Sequence, residues 1–487
     1  MIDSVILIRP KVHGKLEFPF SLLYVATSVK RAGYSVEIID LHALPEDTNI
    51  LLDKIKQKPN VLLGISALSG SYLWVKKIIQ ALKKEFPKLP IVVGGHIAIS
   101  HELLLNNTEA DYVCLGEGEE TLPMLIDKIN NKQSLEQVPG IAYRENESIA
   151  ATRRQLVKDF LLPDFSLIDV KRYIIHPKKD RFFVRESRYL VRAKEDDKMA
   201  TIMFSRGCLG GCNFCYRHLP GYRQGKIGWC WEYLMILYNQ YGVRYFRIDD
   251  ELFISDKAWF EEMYQKIKKS KINILFRISG LRVDAIDDGM LKKLKEIGCI
   301  AINYGIESGS QKILDNMNKN VTVKQNKEAI QKTLKQGMQV MAYIMFGYSG
   351  ENKETLNETL DMLLATKINP EDVAIFFTLP LPGTRLYRQC VEDGSIKKEE
   401  KFLESLDNTI QSQHDRYTIQ LGEVTNSELV GFEKKVYFLL NLKEIIPAKL
   451  FLFKIIKKIT FCVPYSSKLN GIFTVAQKIL RKIRQVA

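Results

Sequence analysis

Long uninterrupted apolar runs are missing from this 487-residue chain. None approaches the roughly 18 residues that a spanning helix needs, so a transmembrane segment is not expected. The start offers one short apolar run, Val5 to Ile8, closed by Arg9 and Pro10, without the basic segment and apolar core of a signal peptide. The expectation is an unexported, cytoplasmic protein whose thiols stay reduced. Low-complexity tracts and internal repeats are also lacking. The 46% apolar and 26% charged fractions exclude intrinsic disorder. Cysteine is scarce: residues 1–150 hold only Cys114, and Cys230, Cys299, Cys390 and Cys462 are scattered. Cys208, Cys212 and Cys215, by contrast, fall within eight positions, which excludes a disulfide framework and points to metal ligation. Acid is absent from Pro447 onward, where seven Lys and two Arg give +9 of the net +14. The main body is therefore nearly neutral, and any basic partner signal lies in the tail.

What is present is alternation. A chain this long exceeds one ordinary core, so two or three domains are expected. Strand-like runs at Ser4–Ile8, Ser35–Asp40, Val61–Ser66, Pro90–Val93, Tyr112–Leu115 and Ile141–Tyr143 alternate with helical stretches at Leu22–Ala32, Ser71–Phe86 and Thr121–Asn130. That rhythm predicts an α/β, Rossmann-like, doubly wound parallel sheet over residues 1–148. Residues 149–198 are charged and irregular and read as a linker. A second alternation fills residues 199–398, with strands at Met199–Phe204, Tyr245–Asp249, Ile274–Ile278, Ile300–Tyr304, Gln339–Phe346 and Asp372–Phe377. Six βα units are too few for a closed eight-fold barrel, so an open, partial (β/α)6 barrel is expected. Residues 399–487 read as a helical, basic C-terminal region.

The cysteine segment runs Ser205-Arg206-Gly207-Cys208-Leu209-Gly210-Gly211-Cys212-Asn213-Phe214-Cys215-Tyr216. Three thiolates so spaced, in a glycine-rich loop after the first barrel strand, can bend round one face of an iron–sulfur cubane. Three ligands for four irons leave one iron open to substrate, as a catalytic metal site does. A zinc knuckle completed by His218 is the competing reading, although structural zinc sites close with paired ligands.

This loop, with an aromatic before its last cysteine, resembles that of the radical S-adenosylmethionine superfamily. The resemblance implies a 4Fe-4S cluster on Cys208, Cys212 and Cys215, with Phe214 and Tyr216 beside the S-adenosylmethionine bound at the open iron. Reductive cleavage of that molecule yields a 5′-deoxyadenosyl radical and requires an electron donor such as flavodoxin or ferredoxin. Further segments match at the ends of barrel strands. Asp249, Asp250 and Glu251 follow the second strand, where the family holds the methionine ammonium, a cation that a carboxylate suits. Glu307 and Ser308, in Gly305-Ile306-Glu307-Ser308-Gly309-Ser310, follow the fourth and fall where the family contacts ribose and methionine. Gly347, in Phe346-Gly347-Tyr348-Ser349-Gly350-Glu351, opens the adenine loop, and Pro380-Leu381-Pro382-Gly383-Thr384 follows the sixth strand. Each turn is weak alone. Their order behind the cysteine loop, across residues 199–390, is the signal.

Ahead of the barrel, Pro19-Phe20-Ser21-Leu22-Leu23-Tyr24, Gly94-Gly95-His96 and Gly116-Glu117-Gly118-Glu119-Glu120-Thr121 look like the cobalamin-binding domain of one large subgroup. A corrin would lie over the carboxyl edge of the sheet, with its tail beside Gly94 and Gly95, and with Ser66, Ser69 and Glu117 lining the site. Many such domains place a histidine on cobalt through Asp-x-His-x-x-Gly. Here Asp40-Leu41-His42 has the first half, but Pro45 stands in place of the glycine, and His13 has Lys11 where Asp belongs. The expected cobalamin therefore has no protein lower ligand. The competing reading is a degenerate domain that only supports the barrel.

Most relatives of this architecture are methyltransferases, and the implied function is methylation of an unactivated carbon in a small-molecule or lipid-like substrate. Cyclisation or rearrangement without methyl transfer is the alternative. The barrel also resembles tRNA methylthiotransferases, but their three additional N-terminal cysteines are not here. A non-catalytic binding protein is argued against by the intact cysteine loop. In the tail, Ala476, Ile479, Leu480, Ile483 and Val486 share one helical face opposite Lys478, Arg481, Lys482 and Arg484. Such a helix either lies in an anionic membrane surface or packs on the barrel with a solvated basic face. Nucleic acid is not expected as a partner, because the body supplies no basic groove.

Overall fold

The computed structural model describes residues 1–11, 18–42, 48–176, 197–217, 221–409 and 419–445. His13, Pro45, His218, Cys462 and the basic tail lie outside them. The described residues form two compact units. One draws on the described residues within Met1–Ile175, Cys215–Val243 and Pro380–Ser412, the other on those within His176–Phe214, Arg244–Leu379 and Gln413–Ala487.

The first unit is built on strands β1 (Ser4–Arg9), β2 (Ser35–Asp40), β3 (Val61–Ser66), β4 (Ile91–Gly94), β5 (Tyr112–Cys114), β6 (Ile141–Glu145) and β7 (Ser148–Ala151). They lie in the order β2-β1-β3-β4-β5-β6-β7. The first five pair in parallel. Val5, Ile6, Ile8, Leu62 and Leu63 are fully buried, because helices cover both faces and a central parallel strand must then be apolar throughout. β6 and β7 extend the sheet as an antiparallel hairpin, a departure from the purely parallel expectation. Polar Asn146-Glu147 makes the tight turn, with Asn146 at φ 55°. Helix Thr48–Lys56 is a further addition to the sequence reading.

An order that reverses direction between β1 and β3 has its switch point there. Open α/β sheets bind ligands in the crevice at the carboxyl end of such a point. The residues at that edge are Arg9, Ser66 and the turn Ser69–Ser71. Residues 150–175 fold onto this unit through two short 3-10 turns capped by Asp164 and Asp169.

In the second unit six strands lie in sequence order: Lys198–Ile202, Val243–Asp249, Leu275–Ser279, Cys299–Glu307, Gln339–Phe346 and Val373–Phe377. The ladders from the second strand to the sixth are parallel. The sheet curls as a half-barrel with free edges at its first and last strands, as six βα units require. Side-chain caps start the intervening helices. Asp256 accepts from Ala258 N–H and Asp287 from Met290 N–H, while Thr322/Gln325 and Asn352/Thr355 form capping boxes. Each cap satisfies main-chain donors orphaned at the helix start and contributes about 1 kcal/mol. Helix Asn426–Ile445 belongs to this unit, its Tyr437 hydroxyl donating to Val373 O at 3.1 Å. Among the described residues no helix is long and apolar enough to cross a membrane.

Candidate active site

In the second unit the first barrel strand delivers the chain to the cysteine loop through a clamp. Asp250 lies just beyond the second strand, almost wholly buried. Its Oδ1 accepts from the N–H of Phe204 at 2.8 Å and of Ser205 at 3.3 Å. Burial pushes this carboxyl up to about 8, against the pull of those two N–H groups. Asp250 thus holds the loop's entry. Its neighbour has the opposite fate: Asp249 meets Arg247 at 2.9 Å, Arg277 at 3.4 Å and the Ser279 hydroxyl at 2.9 Å. Burial alone would raise its pKa, but the two guanidinium groups outweigh that and hold it below the usual carboxylate range. Asp249 stays an anion, held between two guanidinium groups. Glu251 is exposed.

Gly207 turns the chain into the loop at φ 80°. Gly210 N–H donates to Cys208 Sγ at 3.3 Å, the kind of hydrogen bond that thiolates of iron–sulfur clusters accept. The far side is fixed by the segment after the fourth barrel strand. Asn318 Nδ2 donates to Gly211 O at 2.7 Å, Asn213 N–H to Met317 O at 2.9 Å and Asn213 Nδ2 to Asn316 O at 3.0 Å. Cys208 and Cys212 are partly buried, and Cys215 is exposed. Among the described residues no group of three His, Cys, Asp or Glu could hold a single metal ion. A soft thiol set with N–H donation to sulfur, in a loop anchored on both sides, fits a cluster.

The fourth barrel strand ends in a bulge at Gly305–Glu307, and Glu307 adopts φ 60°. A left-handed conformation outside glycine costs on the order of 1–3 kcal/mol and clusters at functional sites. The strain is braced by Lys319, whose Nζ lies 2.9 Å from Glu307 Oε1 and 5.9 Å from the Phe214 ring. Phe214 in turn sits edge-on to Tyr348 at 6.3 Å. Ser308 is fully buried, its hydroxyl paired with Thr359 at 3.1 Å and accepting from Ser310 N–H, so that side chain holds the turn together. Gly347, at φ 82°, donates its N–H to Glu351. Burial pushes Glu351 up to about 8.

In the first unit the switch-point edge carries the other expected residues. Gly95, at φ 82°, must be glycine, because a Cβ there would stand 2.6 Å from Ala67 O. Gly94 differs: a Cβ there would meet nothing nearer than Cys114 Cβ at 3.7 Å. Nothing in the chain demands glycine at that position, and the bare strip beside Ser66 fits close approach by a cofactor tail. Ser66 lies 3.3 Å from the Ser21 hydroxyl. Ser69 is buried in its turn, against which helix Glu399–Thr409 packs. Tyr72 and Lys76 secure that helix at Glu400, at 2.9 and 2.7 Å. Glu117 accepts from Arg223 and from Val157 N–H. Tyr216 stacks on His96 with centroids 4.3 Å apart.

Asp40 accepts from Arg9 at 3.0 and 2.6 Å, from the Tyr173 hydroxyl at 2.7 Å and from the main-chain N–H of His42 at 3.1 Å. The carboxylate is thus shared among Arg9, Tyr173 and the backbone of His42. Sequence reading missed Arg223, Lys319 and Arg282, cations that lie between the segments it singled out. Arg282-Val283-Asp284, directly after the third strand, was the available signal for the last.

Two family models match the chain. Residues 12–126 match the B12 binding domain and residues 202–363 the radical SAM superfamily. The chain belongs to the cobalamin-dependent radical S-adenosylmethionine enzymes, whose cofactors are a 4Fe-4S cluster, S-adenosylmethionine and cobalamin. Such enzymes take small-molecule substrates and an external electron donor. An uncharacterized methyltransferase of Pyrococcus horikoshii is 26% identical, over 79% of this chain and 81% of its own. An anaerobic magnesium-protoporphyrin IX monomethyl ester cyclase of Rubrivivax gelatinosus is 25% identical, over 82% of this chain and 72% of its own. The cobalamin-dependent S-adenosylmethionine radical enzyme OxsB, solved with aqua-cobalamin and S-adenosylmethionine, shares the fold: TM-score 0.72, 17% identity, 100% of this chain and 80% of that one.

Proposed function

We propose that this chain is a methyltransferase acting on an unactivated carbon of a small-molecule or lipid-like substrate. The observation that carries the reading is the pairing of a three-thiolate loop with a bare switch-point edge. Methyl transfer to such a carbon needs both hydrogen removal and a methyl source. When bound, S-adenosylmethionine at the cluster supplies the hydrogen-abstracting radical, and cobalamin supplies the methyl group. The likeness to a methyltransferase over most of both chains supports this choice.

The residues divide the work. Cys208, Cys212 and Cys215 ligate the cluster. Asp249, kept anionic by Arg247 and Arg277, receives the methionine ammonium with Glu251. Glu307, pushed forward by its bulge and tied to Lys319, meets the methionine or ribose. The Gly347 loop and Phe214 flank the adenine. Ser308 and Asp250 act through the backbone they hold. At the sheet edge Ser66, Gly94 and Gly95 accept the cobalamin tail, with Ser69 and Glu117 shaping the surrounding loops. No histidine of this chain is assigned as a ligand to the cobalt that this cofactor would bring.

The likeness to a cyclase supports ring closure as the second reading. With reductant and true substrate, a methyltransferase forms S-adenosylhomocysteine and 5′-deoxyadenosine in comparable amounts. Deoxyadenosine alone, with an unmethylated product, would overturn the first reading. Peripheral membrane contact by the tail is a separate proposal, tested by co-sedimentation with anionic liposomes of the full chain against one ending at Ile446. Equal binding by both would remove it.

A further inference from the structure

Arg282 stands just past the third barrel strand, three residues from Ser279. Its guanidinium is held on two sides. Nε and Nη2 grip Asp284 at 2.9 and 2.8 Å, and Nη2 also reaches the carbonyls of Lys319 and Asn320 at 3.4 Å. The remaining arm, Nη1, faces the cysteine loop. A Cβ built on Gly210 would lie 3.3 Å from Arg282 Nη1, 3.4 Å from Cys208 Sγ and 3.9 Å from Cys212 Sγ. The cation and both sulfurs thus border the same small space, the one a methyl group on Gly210 would occupy.

We propose that Arg282 is a positioning residue that raises the reduction potential of the cluster. The inference rests on the assignment of Cys208 and Cys212 as cluster ligands. A 4Fe-4S cluster on three thiolates gains one negative charge when it accepts one electron from the external donor. A fixed cation beside two of those thiolates stabilises the reduced state more than the oxidised state. Second-shell charge and hydrogen bonding to sulfur are established levers on cluster potential. Asp284 and the two carbonyls fix the direction of the guanidinium, so little reorganisation accompanies the electron. Gly210 keeps the approach short. A side chain there would push the cation away from the sulfurs.

The test is a redox titration of the anaerobically reconstituted full chain, followed by electron paramagnetic resonance of the reduced cluster, with iron counted per chain. Arg282→Gln is expected to keep the wild-type iron content. Its ratio of reduced to oxidised cluster at a given potential should fall about tenfold, a downward shift of about 59 mV for a one-electron couple. Arg282→Lys restores part of that shift, because the charge returns without the fork. Gly210→Ala moves the potential in the same direction as Arg282→Gln. An unchanged midpoint in Arg282→Gln at full iron content would overturn the proposal. So would loss of iron from both Arg282→Gln and Arg282→Lys, which would make the residue a structural brace. A wild-type chain that binds no iron would instead sink the ligand assignment.

Discussion

Arg223 grips Glu117 with both ends of its guanidinium, Nη1 at 2.8 Å from Oε2 and Nη2 at 2.7 Å from Oε1. The carboxylate also accepts from Val157 N–H at 2.7 Å, and the guanidinium donates to Val157 O. Three stretches far apart in the chain are tied by one side-chain pair, with the Glu117 side chain only 8% exposed. Removing one partner leaves a nearly buried charge uncompensated, which costs of order 3 kcal/mol. Arg223→Met should therefore lower the midpoint of thermal unfolding by several degrees and reduce cobalamin retention. The double variant Glu117→Gln, Arg223→Met should recover much of that loss. A double variant as unstable as the single one would show that the pairing is not what holds these stretches.

The clamp at Asp250 gives a pH-dependent prediction. Its carboxyl titrates near 8 in the folded chain and near 4 when unfolded. Below about pH 4 the group is neutral in both states and costs nothing. As pH rises toward 8 the unfolded chain loses this proton while the folded chain keeps it, so stability falls across that window and then levels. Asp250→Asn keeps the acceptor for Phe204 and Ser205 but has no proton to lose. Its unfolding midpoint, relative to wild type, should climb as pH goes from 4 to 8. Asp250→Ala orphans two buried N–H groups and should cost about 1–3 kcal/mol at every pH. A parallel offset between wild type and Asp250→Asn across that range would refute the buried neutral carboxyl.

Asp249 and Asp250 also mark how far the sequence could be read. The alternation of apolar runs and helices is written in local pattern, so both sheets and the open barrel followed from it. So did the order of turns at the strand ends. Two adjacent aspartates look alike in sequence, yet strand geometry turns them to opposite sides. One meets Arg247 and Arg277 and stays charged, while the other goes beneath the first strand and holds backbone. Ser308 reads as a polar ligand until Thr359, 51 residues on, takes its hydroxyl. The turn Ser69–Ser71 reads as an open edge, but helix Glu399–Thr409 packs against it. Partners this distant leave no trace in local spacing. The second strand of the β6–β7 hairpin was missed for another reason: Ser148-Ile149-Ala150-Ala151 has one β-branched residue and no clear alternation.

The cysteine loop makes the most direct prediction. Cys208→Ala, Cys212→Ala and Cys215→Ala should each abolish reductive cleavage of S-adenosylmethionine, because the open iron depends on the other three being held. Anaerobically purified wild type should be brown and carry about four irons from this loop. Full cleavage activity in Cys212→Ala would show the ligand set to be wrong.

The last prediction concerns the lower face of cobalt. A histidine that ligates a metal through one ring nitrogen normally donates the other ring N–H to a carboxylate or carbonyl, which fixes its orientation. The carboxylate two residues before His42 already serves several donors. Arg9 takes both oxygens of Asp40, and Tyr173 and the His42 main chain add two further donors. Asp40 therefore pins the end of β2 to the end of β1 and supports the backbone of the turn. His42→Ala should leave cobalamin occupancy unchanged, along with the axial hyperfine pattern of the Co(II) resonance. Asp40→Asn should act differently, loosening the Arg9 and Tyr173 contacts and destabilising the sheet edge without changing the cobalt spectrum. Loss of nitrogen hyperfine coupling in His42→Ala would place its imidazole on the metal and reverse this assignment.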